Sequence, residues 1–201
     1  MIVRQAPRAA PGAGVSSGTA PGPRYHPPVR IRLAEAGDAE AIRSIYNREV
    51  VEDVNTFDLV PRTVSEQAAW LDAHAGAHLA LVAAESAEQV TGHVGAGGET
   101  VLGFGSLSPY RDRAAYSTTV ENSVYVDPEH RRRGVGRLIL LELVQLAASH
   151  GFHTVIARIV GHNEASIGLH LACGFEMVGV EKEVGRKHRQ WLDVVELQRM
   201  V

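Results

Sequence analysis

The residues whose types and spacing best support a chemical function form a short basic loop in the second half of the chain. The run Arg131-Arg132-Arg133-Gly134-Val135-Gly136 follows Asp127-Pro128 and leads directly into a helical pattern over 135–149. Glycine lets the backbone turn with a positive φ and lets a ligand approach the main chain closely. The free N–H groups and the dipole of a helix's first turn favour an anion at the same point. The loop therefore predicts a pyrophosphate-binding site, with the arginines as countercharge.

Other nucleotide-binding motifs fit this loop less well. A dinucleotide site needs G-x-G-x-x-G after the first strand of a βαβ unit, with an acidic residue about 20 positions on. Here Ile139 replaces the third glycine and the next strand carries Arg158. The chain has no G-x-x-x-x-G-K followed by Ser or Thr. A solvated basic loop that caps a helix remains the alternative if the loop is considered alone.

The elements that must position this loop alternate between strand and helix patterns. Apolar strand patterns are found over residues 29–33, 79–85, 101–107, 119–126, 154–160, 175–183 and 191–199. Helices are predicted over residues 39–50, 63–74, 135–149 and 164–172. Asp38 is expected to be the N-cap of the first helix, and Thr63-Val-Ser-Glu66 has the pattern of a capping box. Residues 86–100, with four glycines, are predicted to form an extended hairpin loop. This order predicts an α/β fold with a mixed sheet.

Composition limits the classes of function. The chain has 201 residues, 45% of them hydrophobic, and a net charge of -3, which suits a soluble domain that does not bind nucleic acid or a membrane surface. Residues 1–28, rich in Pro, Gly and Ala, are predicted to be a disordered tail before a folded domain over 29–201. A single cysteine excludes an intrachain disulfide and a cysteine-based zinc site, so we expect no metal. Since no run is apolar enough to span a bilayer or to act as a secretion signal, we expect a cytoplasmic protein.

Two motifs in this order resemble those of the GNAT acetyltransferase superfamily. The arrangement strand-D-P-x-x-R-x-x-G-x-G-helix over 123–148 resembles the loop that binds the pyrophosphate of acetyl-CoA, and LHLACGF over 169–175 resembles the segment before the family's sixth strand. IRLAEAGDAEAIRSIYN, VNTFDLVPRTVSE, TTVENSVYVDPEHRRRGVG and KHRQWLDVVELQ resemble the phosphinothricin and methionine sulfoximine N-acetyltransferase branch. The resemblance covers about residues 29 to 199. It implies a single domain with a central mixed, mostly antiparallel sheet flanked by helices.

The resemblance also implies direct transfer from acetyl-CoA to the amine of a small amino-acid-like molecule. Backbone groups of the 119–126 strand are implied to hold the pantetheine arm, and the basic loop and two helix starts are implied to hold the rest of the cofactor. The implied cofactor residues are Val124, Tyr125, Val126, Arg132, Arg133, Gly134, Val135, Gly136, Arg137, Asn163 and Ser166.

Acetyl transfer to an ammonium group requires a base, a well-aligned attack and stabilisation of the oxyanion. Glu121 lies on the strand just before the basic loop, and the resemblance implies that it is the general base, directly or through water. His170, matched only by its place on the helix before C-G-F, is the second candidate and would position or deprotonate the amine. The alternatives are a solvent-facing strand glutamate and a structural helix histidine.

The acceptor side is implied by residues before the strand that carries Glu121. Arg111, Arg113 and Tyr116 match positions that hold the acidic end of the substrate, and the planar fork of arginine suits a carboxylate. Phe57 matches an aromatic residue at the mouth of the pocket. Solvated arginines and a core phenylalanine are the alternatives.

Two questions stay open at this point. His188 and Trp191 are assigned either to the far edge of the pocket or to a homodimer contact. The alternatives in function are a GNAT enzyme that acetylates a protein N-terminus, a lysine, a polyamine or an aminoglycoside, and a non-catalytic acyl-CoA-binding regulator. Arg111 and Arg113 disfavour a cationic acceptor, and the presence of both Glu121 and His170 disfavours a regulator.

Overall fold

The computed structural model describes residues 29–86 and 92–201. Its strands are β1 (Arg30–Leu33), β2 (Ala80–Ser86), β3 (His93–Val94), β4 (Glu99–Pro109), β5 (Thr119–Val126), β6 (Thr154–Val160), β7 (Glu176–Lys187) and β8 (Gln190–Met200). Its α-helices are α1 (Ala39–Glu52), α2 (Val64–Ala73), α3 (Val135–Ser149) and α4 (Glu164–Ala172). The predicted tail over 1–28 lies outside the described residues. Within the described ranges, no helix is both long and apolar enough to cross a membrane.

The strands form one sheet in the order β1-β2-β4-β5-β6-β8-β7, with β3 paired to β4. The pairing of β5 with β6 is parallel, and the other pairings are antiparallel. The prediction of an α/β fold with a mixed, mostly antiparallel sheet is therefore confirmed.

Each face of the sheet packs against a different pair of helices. Ile139 and Leu143 of α3 lie in one apolar cluster with Val120 of β5, and Leu169 of α4 packs against that cluster. Ile42 of α1 lies in a second cluster, against which Tyr125 of β5 packs. Because side chains alternate along a strand, even-numbered residues of β5 point to the α3/α4 face and odd-numbered residues to the α1/α2 face. Glu121 is therefore on the α1/α2 face.

The predicted capping box of α2 is confirmed, since Thr63 accepts from Glu66 N–H and Glu66 accepts from Thr63 N–H at 2.7 Å. Asp38 stands at the N-cap of α1, but its carboxylate does not cap that helix. It is buried and accepts from the Arg32 guanidinium at 2.6 and 2.9 Å and from Ala96 N–H at 2.8 Å. Burial alone would raise the pKa of Asp38, but the Arg32 hydrogen bonds and the backbone donors together lower it.

The stretch 86–100, predicted to be an extended hairpin loop, lies between the ends of β2 and β4, and part of it forms regular structure. Asp38 holds the backbone at Ala96, and next to it lie β3, a 3₁₀ turn over Ala96–Gly98 and the first residues of β4. Residues 87–91 of that stretch lie outside the described residues. Contacts between Asp38 and a segment nearly sixty positions away leave no local pattern in the sequence.

Candidate active site

The most distinctive feature of the sheet is the point where β5 and β6 separate. Their pairing covers Thr119 with Thr154, Val120 with Val155 and Glu121 with Ile156. Beyond Glu121, β5 stays paired with β4 and β6 stays paired with β8, so each strand is held by its own neighbour. A cavity of about 610 Å³ opens between them, lined by residues 122–126 and 157–160.

The basic loop forms one wall of this cavity through its backbone. The Asp127 side chain accepts from Glu129 N–H at 2.9 Å and begins a 3₁₀ turn over Pro128–His130. Gly134 then precedes α3 with a φ of 81°, a conformation that favours glycine. A Cβ at Gly136 would lie 3.2 Å from the Leu169 side chain of α4. The first turn of α3 is thus packed closely against α4, and its free N–H groups border the cavity.

Most of the predicted cofactor residues come together around this cavity. Those that line it are Val124, Tyr125, Val126, Arg132, Gly134, Val135, Gly136, Arg137, Asn163 and Ser166. Arg133 differs, because its guanidinium donates to the buried carboxylate of Glu85 at 2.5 Å and lies 3.1 Å from His130 Nδ1. Arg133 therefore ties the basic loop to β2. The two residues are 48 positions apart, so the sequence does not reveal this contact.

Glu121 lies at the last paired position before the strands separate, and its side chain is partly buried. Burial raises the pKa of the Glu121 carboxyl, while the nearby Arg158 guanidinium opposes part of that change and Glu196 adds to it. The net shift is upward, so this carboxylate is a stronger proton acceptor than an ordinary glutamate.

Arg158, whose charge acts on Glu121, also interacts with carboxylates of β7 and β8. It lines the cavity, donates to Glu181 of β7 at 2.5 Å and is the cross-strand partner of Glu196 on β8. Tyr110 Oη also donates to Glu196, at 3.4 Å. Sequence reasoning did not assign Arg158 to the site. A charged residue inside the otherwise apolar strand TVIARIV was the available signal.

His170 is buried, and both of its ring nitrogens are engaged. Nδ1 lies 2.8 Å from the Ser166 carbonyl, which can only accept, so Nδ1 carries the proton. Nε2 then accepts from the Asn122 side-chain amide at 3.0 Å. Burial lowers the pKa of His170, which keeps the ring neutral near pH 7. Asn122 Oδ1 is buried at the cavity wall and has no hydrogen-bond partner in the described part of the protein.

A chain of hydrogen bonds links the basic loop, α1 and the start of α4 around the cavity. Arg131 donates to the buried carboxylate of Glu49 on α1, and Asn55 donates to the same carboxylate at 2.7 Å. The Asn163 side chain donates to Asn55 Oδ1 at 3.0 Å and accepts from Ser166 N–H at the start of α4. Glu49 and Asn55 also line the cavity and were not predicted.

The predicted acceptor residues lie outside the cavity wall. The Arg111 guanidinium stacks on Tyr110 at 4.8 Å and on Tyr116 at 5.8 Å, and its charge acts on the pKa of Glu121. Arg113 is exposed at the start of the 3₁₀ turn over Ala114–Tyr116. Phe57 packs on Gly185 of β7, where a Cβ would come within 2.4 Å of the ring.

His188 and Trp191 belong to the hairpin that joins β7 to β8. His188 and Arg189 form the two-residue turn, with φ values of 48° and 65°. Trp191 is 57% exposed, and the Arg186 guanidinium lies 5.2 Å from its ring. A homodimer contact at this hairpin stays a prediction.

Known proteins are similar to this chain in sequence and in fold. The model of the acetyltransferase (GNAT) family matches residues 42–175, a range that contains Glu121, the basic loop and α4. A phosphinothricin N-acetyltransferase from Streptomyces coelicolor is 36% identical over 173 residues, covering 85% of this chain and 95% of the relative. An L-methionine sulfoximine/L-methionine sulfone acetyltransferase from Pseudomonas paraeruginosa is 35% identical, covering 84% of this chain and 92% of the relative. The crystal structure of a GNAT-superfamily phosphinothricin acetyltransferase from Sinorhizobium meliloti, in complex with acetyl-CoA, has a TM-score of 0.77 and 36% identity, covering 86% of this chain and 88% of that one.

Proposed function

The chain belongs to the GNAT acetyltransferase family, and we propose that it transfers the acetyl group of acetyl-CoA to the amine of a small amino-acid-like acceptor. The acceptor would be of the kind that phosphinothricin, methionine sulfoximine and ordinary L-amino acids represent. The observation that carries this proposal is the cavity at the separation of β5 from β6, with the basic loop at one wall and Glu121 at the last paired position before the two strands separate.

The residues around the cavity suit acetyl-CoA as co-substrate. A volume of about 610 Å³ is in the range of small-molecule sites. The first-turn N–H groups of α3, with Arg132 and Arg137 beside them, provide donors and positive charge for a pyrophosphate. Beyond Glu121, the edge of β5 that faces β6 borders the cavity, so backbone groups of Val124 and Val126 can bond an extended pantetheine arm and the thioester oxygen, whereas those of Tyr125 face β4.

We assign the general-base role to Glu121. The acceptor arrives as an ammonium ion and must lose one proton before its nitrogen can attack the thioester carbon. A carboxylate whose pKa is raised by burial takes that proton more readily than an exposed one. The nitrogen then forms a bond to the thioester carbon and the C–S bond breaks. The second proton that the nitrogen loses passes to the leaving sulfur, so the products are the neutral amide, CoA as the thiol and protonated Glu121.

We propose that His170 positions other groups and does not act as a second base. Its Nδ1–H is committed to the Ser166 carbonyl, and its Nε2 accepts from Asn122. This arrangement fixes the orientation of the Asn122 amide, and Asn122 is one of the residues that line the cavity.

On the acceptor side, Arg111 is the better candidate for the carboxylate of the acceptor. Its charge acts on Glu121, and its stacking on Tyr110 and Tyr116 limits the directions in which its guanidinium can point. Arginine pairs with a carboxylate through two parallel hydrogen bonds.

The test is acetyl-CoA consumption by the full-length chain with a panel of amines. The panel contains phosphinothricin, methionine sulfoximine, methionine sulfone and L-amino acids, together with spermidine and a short peptide with a free N-terminus. We expect turnover with the free amino acids or their analogues and little with spermidine or the peptide. Preference for either of the last two would overturn the acceptor class, and no turnover with any amine would overturn the proposed function.

A further inference from the structure

The residue directly opposite Glu121 in the sheet is Ser108 of β4. Cross-strand partners in an antiparallel pair point to the same face, with their Cβ atoms about 4.5 to 5.5 Å apart. Ser108 and Glu121 therefore lie side by side on the α1/α2 face. Ser108 is half-buried there, and the side chain that reaches it is His74, the residue that ends α2.

His74 and Ser108 form a hydrogen-bonded pair whose direction follows from the groups around it. His74 Nδ1 lies 2.7 Å from the Trp70 carbonyl in the last turn of α2, and a carbonyl oxygen can only accept. The proton of a neutral His74 is therefore on Nδ1, and Nε2 is an acceptor. His74 Nε2 lies 3.0 Å from Ser108 Oγ, so the hydroxyl proton of Ser108 is donated to the ring.

The imidazole is well fixed in this role. It stacks on the Trp70 indole with ring centroids 4.0 Å apart. Burial lowers the pKa of His74 despite its hydrogen bond to the Trp70 carbonyl, and the charges of Arg62 and His78 lower it further. The neutral ring, with its proton on Nδ1, is thus the favoured form near pH 7.

A consequence follows for the hydroxyl group. Since its single proton is committed to His74, Ser108 Oγ has only lone pairs to offer to anything else that approaches it. Beside the proposed base there is thus a second oxygen that can only accept hydrogen bonds. A protonated amine has N–H donors for both of these oxygens, whereas a hydroxyl has only one donor and a carboxylate has none.

We propose that Ser108 binds the acceptor by accepting an N–H of its ammonium group next to Glu121, and that His74 is a positioning residue that fixes the Ser108 hydroxyl. This inference rests on the proposed function. One N–H of the ammonium group faces Glu121 and is removed as a proton. A second N–H stays on Ser108 Oγ, which holds the nitrogen in place while its new lone pair is directed at the thioester carbon.

The competing explanation is that the pair ties the end of α2 to the sheet. A tether would affect the stability of the fold and would have no specific effect on acceptor binding. The experiment must therefore separate acceptor binding from folding and from cofactor binding.

The variants are Ser108→Ala, His74→Phe and the double variant, with Ser149→Ala and His150→Phe as controls at exposed positions of α3 and its end. His74→Phe keeps an aromatic ring to stack on Trp70 but removes the Nε2 acceptor. Ser108→Thr keeps the hydroxyl and serves as the conservative variant. For each variant, the acceptor KM, the acetyl-CoA KM, kcat and Tm are measured with the amine that the wild-type enzyme turns over best.

We expect Ser108→Ala to raise the acceptor KM about 10-fold, the usual size for a lost hydrogen bond to a charged group. The acetyl-CoA KM should stay at the wild-type value, and Ser108→Thr should restore most of the acceptor affinity. His74→Phe should raise the acceptor KM in the same direction, and the double variant should be no worse than Ser108→Ala, because His74 acts only through Ser108.

An unchanged acceptor KM in Ser108→Ala would overturn the inference. So would a variant whose Tm falls while the acceptor and acetyl-CoA KM values rise equally, since that result fits a tether. If Ser108→Ala does not fold, Ser108→Thr and His74→Phe still decide the question. A wild-type enzyme that turns over no amine overturns the proposed function and this inference together, whereas normal turnover with an insensitive Ser108→Ala variant overturns this inference alone.

Discussion

On the α3/α4 side of the cleft, the groups proposed to bind the anion come mainly from one continuous stretch, residues 127–137, and most of them are backbone N–H groups that two glycines leave open to approach. On the α1/α2 side, the groups around Glu121 are side chains from α2, β4, β6, β7 and β8. Ligand binding in the first region should depend on how closely a ligand can approach the main chain. In the second region it should depend on side-chain charge and on the positions of protons. Substitutions should therefore affect the two regions through different measurable quantities.

The largest expected effect is at Glu121, which lies between the two regions. Glu121→Gln removes the proposed base but keeps the shape of the side chain, so kcat should fall about 10²- to 10⁴-fold. The affinity for acetyl-CoA, measured by calorimetry, should stay near the wild-type value. Near-normal kcat in this variant would mean that a bound water or another group takes the proton.

Gly136→Val should have the next largest effect, and we expect that effect on acetyl-CoA binding only. A Cβ at this position lies 3.2 Å from Leu169, and the further methyl groups of valine have to displace α4 or the loop. Overpacking of this kind costs about 1–3 kcal/mol, so we expect acetyl-CoA binding to weaken about 10- to 100-fold. Gly168→Val is the matched control, because a Cβ at Gly168 meets nothing within 4 Å. Equal acetyl-CoA affinities of the two variants would contradict the role of Gly136.

Arg111→Gln tests the acceptor region, with Arg113→Gln as its control. The first removes a guanidinium whose charge acts on the pKa of Glu121, whereas Arg113 is exposed at the start of the 3₁₀ turn. We expect the acceptor KM to rise about 10-fold for Arg111→Gln and to change little for Arg113→Gln. The Arg111 effect should disappear with an acceptor that lacks a carboxylate. If the loss is the same with and without the carboxylate, Arg111 does not bind that group.

The smallest expected effect is a shift in pH dependence after Arg158→Gln. Arg158 opposes the upward shift of the Glu121 pKa, so its removal raises that pKa further. The acidic limb of kcat/KM should then move to higher pH, because Glu121 must be deprotonated to act. Glu181 and Glu196 face the same guanidinium and should reinforce the shift.

At acidic pH the loss in kcat/KM should be about two- to fivefold, the size expected for a partly exposed charge. Lys182→Gln removes a positive charge from an exposed ion pair with Asp193 and should leave the profile unchanged. Movement of the limb to lower pH in Arg158→Gln would contradict the proposed assignment of that limb to Glu121.

The same contrast explains how much of the molecule the sequence predicts. The strand, loop and helix over 119–149 are predicted nearly residue by residue, because Asp127, Gly134 and the apolar spacing of α3 act within a few positions of one another. The segments that form the strands of the sheet are also predicted, because the alternation of apolar residues within each strand is equally local. The roles of Glu121 and His170 remain predictions.

Long-range contacts account for what the sequence does not predict. Arg133 pairs with Glu85, His74 reaches Ser108 and Asp38 binds Ala96, each across more than thirty positions. The separation of β5 from β6 depends on which neighbour each strand keeps, which no single strand pattern encodes. Arg158 is an intermediate case, since its charge stands out in an apolar strand but its partners lie on β7 and β8.

A chain of hydrogen bonds runs from Arg131 through Glu49 and Asn55 to Asn163. It limits which substitutions the segment between α1 and α2 can accept, both in evolution and when that segment is grafted from a relative. Asn55 lies in the segment between α1 and α2 that carries Phe57, yet its amide also bonds Glu49 and Asn163. A segment transplanted from a relative without an amide at position 55 would leave the buried Glu49 carboxylate with one donor fewer. The segment therefore cannot be exchanged as an independent module, and chimeras should tolerate replacement at Phe57 far better than at Asn55.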